Sequence, residues 1–246
     1  LKALKENKEK RYDLTGLESE EIEWKSFDDF TIIKSGKAET VSIIPPDFPV
    51  CPTCMKELFD PGNRRYKNPF ISCMSCGPRY TIIEDSPYDR QCKGEYTSPE
   101  SRRFDAQTIS CHDCGPYLIY KGKSGEELAR ADAFEKTCEV IENGGIAAVK
   151  GIGGYHLVCS PFKEETVQNL RQLKGREEKP FAVMFASTDQ IRQYCTVTEE
   201  EQSLLESSAR PIVLLESSNE KFAHSTYKGS EYCGAFLPYT PLQMML

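Results

Sequence analysis

The chain has 246 residues, of which 39% are hydrophobic and 28% charged, a composition typical of a soluble globular protein with one large domain or two smaller ones. Its longest apolar stretches are too short to span a bilayer, and its first residues carry charges throughout, which is not typical of a signal peptide. The formal net charge of −7 argues against broad nucleic-acid binding, because that binding requires a surplus of Lys and Arg.

The two ends of the chain are unlike ordinary termini. The last ten residues, LPYTPLQMML, form an apolar run with no polar tail. We therefore expect the sequence to be a fragment of something longer.

The cysteines are concentrated in one part of the chain. Seven of the eleven lie between Cys51 and Cys114, mostly as C-x-x-C pairs. In a chain without a secretory signal, clustered pairs indicate metal ligands rather than disulfides. We expect the scattered cysteines to be buried thiols that behave as small hydrophobic residues; they are Cys138, Cys159, Cys195 and Cys233.

The cysteine region contains an internal repeat. A shift of 38 residues aligns CMKELFDPGNRRYKNPFISCMSCGPRY with CKGEYTSPESRRFDAQTISCHDCGPYL. The aligned segments share a glutamate, a proline, an arginine pair, an aromatic residue and a Gly-Pro step, which indicates a duplicated module. The matching charged positions are Glu57 with Glu95, Arg64 with Arg102, and Arg65 with Arg103.

The first module has the ligands of a structural zinc site. Zinc prefers four tetrahedral ligands, and thiolates are good ones. We predict a zinc ribbon in which a short hairpin joins two ligand pairs, Cys51 with Cys54 and Cys73 with Cys76. So small a module buries little apolar surface, so the metal is expected to supply much of its folding free energy. A redox dithiol is the alternative, but it would need one pair on a thioredoxin-like βαβ unit.

The second module has only three of the expected cysteines, Cys92, Cys111 and Cys114. The shift of 38 residues puts Asp89 at the fourth position, and a carboxylate can bind zinc. The alternative, which we prefer, is that a stretch containing the fourth cysteine is missing just before Gln91. We predict a second zinc ion here, with its fourth ligand left open.

From Ala129 onward, helical and strand patterns alternate. The periodicity predicts helices in ARADAFEKTCEVIENGG, KEETVQNLRQLKGR and TEEEQSLLESS. Glycines end the first helix, and the third opens with a capping box formed by Thr198 and Glu201. We expect shared apolar faces in the first two helices, formed by Phe134, Cys138 and Ile141 and by Val167, Leu170 and Leu173.

Apolar segments between these helices predict strands. They are IAAVKG, which we expect to be buried, then IGGYHLVC, PFAVMFA and RPIVLLE. Strands that alternate with helices indicate an α/β domain, here with a mixed or twisted sheet.

Two loops of this domain are candidates for ligand binding. The glycine loop, KGIGGYH at residues 150–156, has three glycines that allow the backbone to approach a ligand closely. The cation loop, KGREEKP at residues 174–180, places Lys174, Arg176 and Lys179 at a helix C-terminus. If the loops converge, they form an anion site suited to phosphates. The alternative is solvated cations stabilised by the helix dipole. A lone histidine such as His156 is more often structural than catalytic.

Motifs throughout the chain resemble those of the family of the hydrogenase maturation carbamoyltransferase HypF. They cover nearly everything from Ile44 to the end and include IPPDFPVCPTCMKEL, NRRYKNPFISCMSCGPRYTII, PYDR, RRFDAQTISCHDCGP, VKGIGGYHLVC, KGREEKPFAVM and LPYTPL. The resemblance implies the tail of an acylphosphatase-like domain and a linker at 1–43, tandem zinc ribbons at 44–120, and a truncated YrdC-like nucleotide-binding domain at 121–246. It also implies that the stretch with the missing cysteine is absent between Arg90 and Gln91.

The resemblance implies a cytoplasmic enzyme that helps to make the cyanide ligands of [NiFe]-hydrogenase. Members of the family use ATP, with magnesium, to convert carbamoyl phosphate into carbamoyl adenylate. They pass the carbamoyl group to the C-terminal cysteine of a HypE-like acceptor protein. The implied cofactors are two structural zinc ions, and neither nucleic acid nor a membrane is expected as a partner. The implied nucleotide and carbamoyl-adenylate site comprises Lys150, Gly153, Gly154, His156, Lys174, Arg176 and Lys179.

The chain departs from the family pattern in ways that affect activity. It lacks the acylphosphatase catalytic loop, the end of the YrdC-like domain and the metal-binding histidines of the Kae1-like domain. We therefore expect this fragment to be incomplete for the full reaction.

Two other functions fit parts of the sequence. A threonylcarbamoyl adenylate synthase would use the same YrdC-type fold for tRNA modification, although the zinc modules disfavour it. A zinc adaptor would bind protein or nucleic acid without catalysis. Between Cys51 and Cys114 nine Lys and Arg balance nine Asp and Glu, which favours packing against protein over nucleic acid.

Overall fold

The computed structural model describes residues 46–78, 92–106, 108–217 and 222–246. The predictions for residues 1–43, for Asp89 and for the junction of Arg90 with Gln91 lie outside this part of the chain. The described residues belong to one compact unit, Pro45–Leu246. Within them, no helix combines the length and the apolar character needed to cross a bilayer.

Helix α1 (Pro52–Phe59) opens the first cysteine module. Proline suits the first helical turn, because its φ is already helical and the N–H that it lacks would have no partner there. Cys51 is the N-cap, and its sulfur accepts a hydrogen bond from the backbone N–H of Cys54 at 3.4 Å. The chain then runs in turns to Cys73. The expected hairpin is therefore replaced by a helix and turns, and α1 positions the first cysteine pair.

The second module repeats the backbone of the first. Its helix α2 (Lys93–Thr97) is shorter, but the turn after it is the same. Lys67 and Asp105 both take left-handed φ values, 52° and 53°. Their backbone N–H groups donate to Leu58 O at 2.8 Å and to Tyr96 O at 3.1 Å. Because these residues are paired by the 38-residue shift, the duplication extends from sequence to conformation.

A hairpin and a helix follow the cysteine modules. Strands β1 (Ile119–Lys121) and β2 (Glu127–Ala129) pair antiparallel and lead directly into α3 (Arg130–Glu142). Helix α3 fully buries Ala133, whereas the predicted apolar face is only half-buried. Gly144 takes a left-handed φ of 86° just after the helix, a conformation that glycine adopts without strain.

The next two strands form a hairpin of their own. Strands β3 (Ala147–Lys150) and β4 (Tyr155–Val158) pair antiparallel. Lys150 pairs with Tyr155, and the turn of the glycine loop lies between these two residues. We expected β3 to be buried, but its residues alternate between half-buried and exposed. Within the described residues β3 pairs with β4 alone in a two-stranded sheet, so its other edge has no neighbouring strand.

Helix α4 (Glu164–Lys174) buries Val167 and Leu170 as predicted, but Leu173 is 66% exposed. A helix turns through about 100° per residue, so Leu173 lies far round the cylinder from Val167. The inner position next to Leu170 is taken by Arg171, which is buried.

A mixed three-stranded sheet forms the centre of the second half. Its strands are β5 (Ala182–Met184), β6 (Val213–Glu216) and β7 (Tyr232–Phe236), in the order β5-β7-β6. Strand β5 pairs parallel to β7, and β6 pairs antiparallel to it. The prediction of an α/β domain with a mixed sheet is confirmed.

Short helices cover this sheet and complete its core. Helices α5 (Thr188–Ile191) and α6 (Glu199–Glu206) precede β6, and both bonds of the predicted Thr198 capping box are present in α6. A 3₁₀ turn (His224–Thr226) precedes β7, and α7 (Pro241–Met245) follows it. The core residues are Val183, Phe185, Ile191, Cys195, Leu205, Leu215, Phe222, Cys233, Ala235 and Leu237.

The scattered cysteines divide into two groups. Cys195 and Cys233 are buried in this core, as we expected for thiols that act as hydrophobic residues. Cys138 and Cys159 are only half-buried.

Candidate metal centres and ligand-binding loops

The four cysteines of the first module meet at one point. Their sulfurs all lie within 4.8 Å of one another, and all four residues are buried. The sulfur of Cys73 is 3.8 Å from that of Cys51 and 3.7 Å from that of Cys76. Four sulfurs placed tetrahedrally at a Zn–S distance of 2.3 Å would lie about 3.8 Å apart. The donor set and its spacing therefore fit a zinc ion, and we call this cluster the first centre.

The local backbone prepares these sulfurs for a metal. The N–H of Ser75 donates to the sulfur of Cys73 at 3.3 Å, and Gly77 follows the second pair with a φ of 98°. Hydrogen bonds with Cys54 and then Cys73 lower the pKa of the Cys51 thiol. The bond with Cys51 acts to raise the pKa of Cys73, but those with Cys54 and Cys76 outweigh it and the value falls to about 6. Hydrogen bonds with Cys51 raise the pKa of the Cys54 and Cys76 thiols instead. The contacts within the cluster therefore favour the thiolate, which is the form that binds metal, at Cys51 and Cys73 and the protonated thiol at the other two positions.

The second centre brings together Cys92, Cys111 and Cys114. The Cys114 sulfur is 3.2 Å from that of Cys92 and 3.5 Å from that of Cys111. Burial raises the pKa of the Cys111 thiol, but the backbone N–H groups of Asp113 and Cys114 outweigh it and lower the value to about 7. Within the described residues this cluster has three ligands, and Asp89, the predicted alternative for the fourth, lies outside them.

Arginines approach both centres, which sequence reasoning missed. Arg102 donates through Nη2 to the Cys54 sulfur at 3.1 Å, and Arg64 donates through Nη2 to the Cys111 sulfur at 3.0 Å. Each arginine belongs to the module opposite to the sulfur that it contacts. The repeat of the arginine pairs in the sequence was the signal, but the sequence does not say which way they point.

The glycine loop is a tight turn at the end of the β3–β4 hairpin. The Gly151 N–H donates to Gly154 O at 2.7 Å, and the Lys150 ammonium lies over the Tyr155 ring, 5.0 Å from its centre. A side chain at Gly151 would approach the His156 ring to 3.2 Å, so glycine allows close packing there. Gly153 and Gly154 face open space, which leaves their backbone accessible.

The cation loop is organised by Arg171, a residue that sequence reasoning also missed. Its Nη1 donates to three carbonyl oxygens of the loop, those of Arg176, Glu177 and Lys179, at 2.9 to 3.2 Å. Its Nε donates to Ser225 O at 2.6 Å, and burial lowers the pKa of this guanidinium. One buried side chain therefore fixes the backbone of the loop and ties it to the 3₁₀ turn.

The predicted cations of this loop have different environments. Arg176 folds back, with Nη2 donating to Pro180 O at 2.7 Å and Nε donating to Lys179 O at 3.2 Å. Lys174 and Lys179 are exposed. Among the described residues, no recorded hydrogen bond or ion pair joins this loop to the glycine loop. That the two loops converge on a phosphate stays a prediction.

A cavity of 1140 Å³ adjoins the glycine loop rather than the cation loop. Phe70 and Ile109 line it from the cysteine modules, and Lys150 and Tyr155 line it from the β3–β4 hairpin. Residues 174–180 do not line it.

Two family models match different parts of the chain. The family model described as HypF finger matches residues 50–83 and 90–120. The model Sua5_yciO_yrdC, described as Telomere recombination, matches residues 139–246.

Curated relatives match both parts at once. The carbamoyltransferase HypF of Synechocystis sp. is 45% identical over 241 residues, which cover 92% of this chain and 31% of the relative. A probable carbamoyltransferase HypF of Methanocaldococcus jannaschii is 43% identical, with coverages of 94% and 32%. The chain spans about a third of the length of these relatives.

Solved structures of HypF proteins are also similar to this chain. A crystal structure of full-length HypF in the phosphate- and nucleotide-bound form matches with a TM-score of 0.80 and 39% identity over 92% of this chain and 31% of that chain. The structure of T. kodakarensis HypF matches with a TM-score of 0.78 and 39% identity, covering 84% of this chain and 29% of that one.

Proposed function

Because this chain belongs to the HypF family, we propose that it contributes the zinc modules and the nucleotide site of a carbamoyltransferase in hydrogenase maturation. In this proposal residues 44–120 form the zinc region, residues 121–246 form the YrdC-like part, and residues 1–43 end an acylphosphatase-like domain. The chain acts as part of a longer protein in the cytoplasm.

In the proposed reaction, hydrolysis of carbamoyl phosphate by the acylphosphatase-like domain releases phosphate and carbamate. A carbamate oxygen attacks the α-phosphorus of ATP, and carbamoyl adenylate forms as pyrophosphate leaves. The C-terminal cysteine thiol of a HypE-like acceptor then takes the carbamoyl group as AMP leaves. Negative charge develops on the departing pyrophosphate, so fixed cations stabilise the transition state more than the ground state, and a magnesium ion bound with the ATP would add to this effect.

The observation that carries this proposal is the preorganised cation loop. Arg171 holds three of its carbonyl groups, so the loop does not need to be ordered when phosphate binds. Lys174 and Lys179 are exposed next to this fixed backbone. Arg176 uses Nε and Nη2 within the loop, and a guanidinium has five N–H donors, so donors remain for a phosphate oxygen. A similar solved structure that binds phosphate and nucleotide supports the same assignment.

The glycine loop is proposed to complete the site. Gly153 and Gly154 leave the backbone open to a ligand, and Lys150 and His156 flank the turn. The two zinc ions are proposed as structural, the first held by Cys51, Cys54, Cys73 and Cys76. The second is held by Cys92, Cys111, Cys114 and a fourth ligand outside the described residues.

The test uses the full-length protein that contains this chain. Arg176→Lys keeps the charge but loses the planar fork, so we expect slower carbamoyl-phosphate-dependent exchange between ATP and pyrophosphate, with unchanged zinc content. Arg176→Ala should slow the exchange further. Arg192→Ala, which removes a partly exposed arginine elsewhere in the same part, is the matched control.

The outcomes separate the competing functions. Exchange that is the same in Arg176→Ala and in the control would reject the proposed nucleotide site. Exchange that depends on threonine rather than on carbamoyl phosphate would favour a threonylcarbamoyl adenylate synthase, which the YrdC family match keeps as the second candidate.

A further inference from the structure

The contacts between the two cysteine modules are reciprocal. Arg65 donates through Nε to Ser110 O at 2.8 Å, and Arg103 donates through Nε to Ser72 O at 3.1 Å. Both residues of the second contact are paired with those of the first by the 38-residue shift. Each module therefore reaches into the other through the same residue.

The same arginines pair with glutamates of the opposite module. Arg65 donates through Nη1 to Glu95 Oε1 at 2.9 Å, and Arg103 forms the equivalent ion pair with Glu57. The arginine side chains are only 2% and 5% exposed. A buried cation is costly unless it is paired, so these arginines hold the modules in one arrangement.

The arginine pairs also extend to the sulfurs. Arg102 donates to the Cys54 sulfur at 3.1 Å, across to the first centre. In the opposite direction, Arg64 donates to the Cys111 sulfur at 3.0 Å, and Arg65 to the Cys92 sulfur at 3.4 Å. A Zn²⁺ ion with four thiolates carries a net charge of about −2, so a guanidinium at this distance offsets charge that the centre itself leaves uncompensated.

We propose that each metal centre takes the cationic hydrogen-bond donors to its sulfurs from the opposite module, so that the arginines of one module set the metal affinity of the other. The inference rests on the metal binding proposed above. Groups that donate to metal ligands orient them and tune the metal, and their loss typically costs 10- to 100-fold in affinity.

A purely structural role for these arginines makes a different prediction. If they served only to hold the modules together, their loss would loosen both centres to a similar degree. If they act on sulfur, the loss is specific to the centre in the opposite module. Arg102 and Arg64 are suited to the test because their side chains are 32% and 52% exposed. Arg102 also pairs with Glu57, and Arg64 with Glu95, so each replacement removes one partly exposed ion pair between the modules. The buried ion pairs of Arg65 and Arg103 with the same two glutamates stay in place.

The experiment titrates the zinc-loaded full chain with a chelator and measures cysteine alkylation by peptide mass spectrometry, which reads each centre separately. We expect Arg102→Ala to release the first centre at a roughly 10- to 100-fold lower chelator concentration, with a smaller effect on the second. Arg64→Ala should give the reverse pattern. Arg102→Lys, which keeps a cationic donor, should recover much of the affinity. Lys93→Ala removes an exposed cation from the module of Arg102 and should leave the first centre unchanged.

The possible failures are distinguishable. If the unaltered chain binds no zinc at Cys51, Cys54, Cys73 and Cys76, the metal proposal and this inference both fall. If it binds zinc but Arg102→Ala matches Lys93→Ala, or weakens mainly the second centre, this inference alone is overturned. Equal loosening of both centres by either arginine variant would leave only the structural role.

Discussion

The cysteine modules and the α/β part achieve stability by different means. The core of the first module consists of Val50, Leu58 and Ile71 around four cysteines. Its most buried contacts to the second module are ionic, through Arg65 and Arg103. The α/β part instead has a larger apolar core of ten buried residues around its sheet. One region therefore depends on a metal and on paired charges, and the other on hydrophobic burial, so different changes should break each.

Metal removal should give the largest effect on stability, and this effect should be confined to the cysteine modules. Structural zinc in modules of this kind contributes about 10–16 kcal/mol of apparent binding free energy, which is also folding free energy. Chelation should therefore abolish amide protection in α1 while β7 stays protected, as hydrogen exchange with mass spectrometry would record. Chelator saturated with zinc is the control. Persistent protection of α1 in metal-free protein would show that its apolar core suffices.

Truncation of a core leucine should instead destabilise the α/β part. Leu205 is fully buried, so Leu205→Ala should lower the free energy of unfolding of the α/β part by about 2–5 kcal/mol. Its neighbour Leu204 is 53% exposed, and Leu204→Ala should change this free energy of unfolding by less than about 0.5 kcal/mol. Urea unfolding measures both, and zinc content should stay constant. Equal effects of the two variants would contradict the assigned core.

Arg171 is the exception that sharpens the comparison, because it is a buried charge in the hydrophobic half. Arg171→Met keeps most of the volume but leaves the loop and Ser225 carbonyls without this donor, which should cost about 1–3 kcal/mol. It should also weaken ATP binding in the full-length protein, because the cation loop loses its fixed backbone. Isothermal titration and urea unfolding would test both, with Arg192→Ala as the control. Unchanged ATP affinity with lower stability would separate Arg171 from the proposed site.

The smallest effect concerns pH. The hydroxyl of Ser225, and then its N–H, donate to the Glu164 carboxylate and lower its pKa. A lowered folded-state pKa adds stability above the unfolded value, and this is lost as pH falls through the folded value. Glu164→Gln should therefore destabilise the protein slightly at neutral pH and flatten the loss of stability below about pH 4. Glu165→Gln, an exposed neighbour on α4, is the control in matched urea titrations. The same slope in both variants would exclude this contact as the cause.

Sequence reasoning predicted the features in which chemistry brings specific residues to a fixed distance from each other. The cysteine spacing predicted the two clusters because a metal brings its ligands together whatever fold carries them. The Thr198 capping box was predictable because both partners lie within one helical turn. The mixed α/β character was predictable from the alternation of strand and helix patterns. The prediction that β3 is buried was wrong, because an apolar composition does not show how many other strands lie beside it.

The features that sequence reasoning missed depend on direction. The arginine repeat was visible, but a repeat does not show whether its copies face each other or turn away. Arg171 was overlooked because a charge on an amphipathic helix normally faces water. Its burial is explained only by the carbonyl groups of the loop that follows the helix and of the distant 3₁₀ turn, to which it donates. Leu173 was wrongly assigned to the buried face of its helix, because a residue six positions after Val167 does not lie on the same face of a helix as Val167.

The reciprocal contacts also bear on how the cysteine modules arose. When residue i of one body contacts residue j of another and j contacts i in return, the arrangement is isologous, the pattern that a two-fold axis generates between identical subunits. A lone ancestral module would have met the partners of its arginine and glutamate only on a second copy of itself. Gene duplication and fusion turn such a homodimer into one chain, which fixes the ratio of the halves and frees their assembly from dependence on protein concentration.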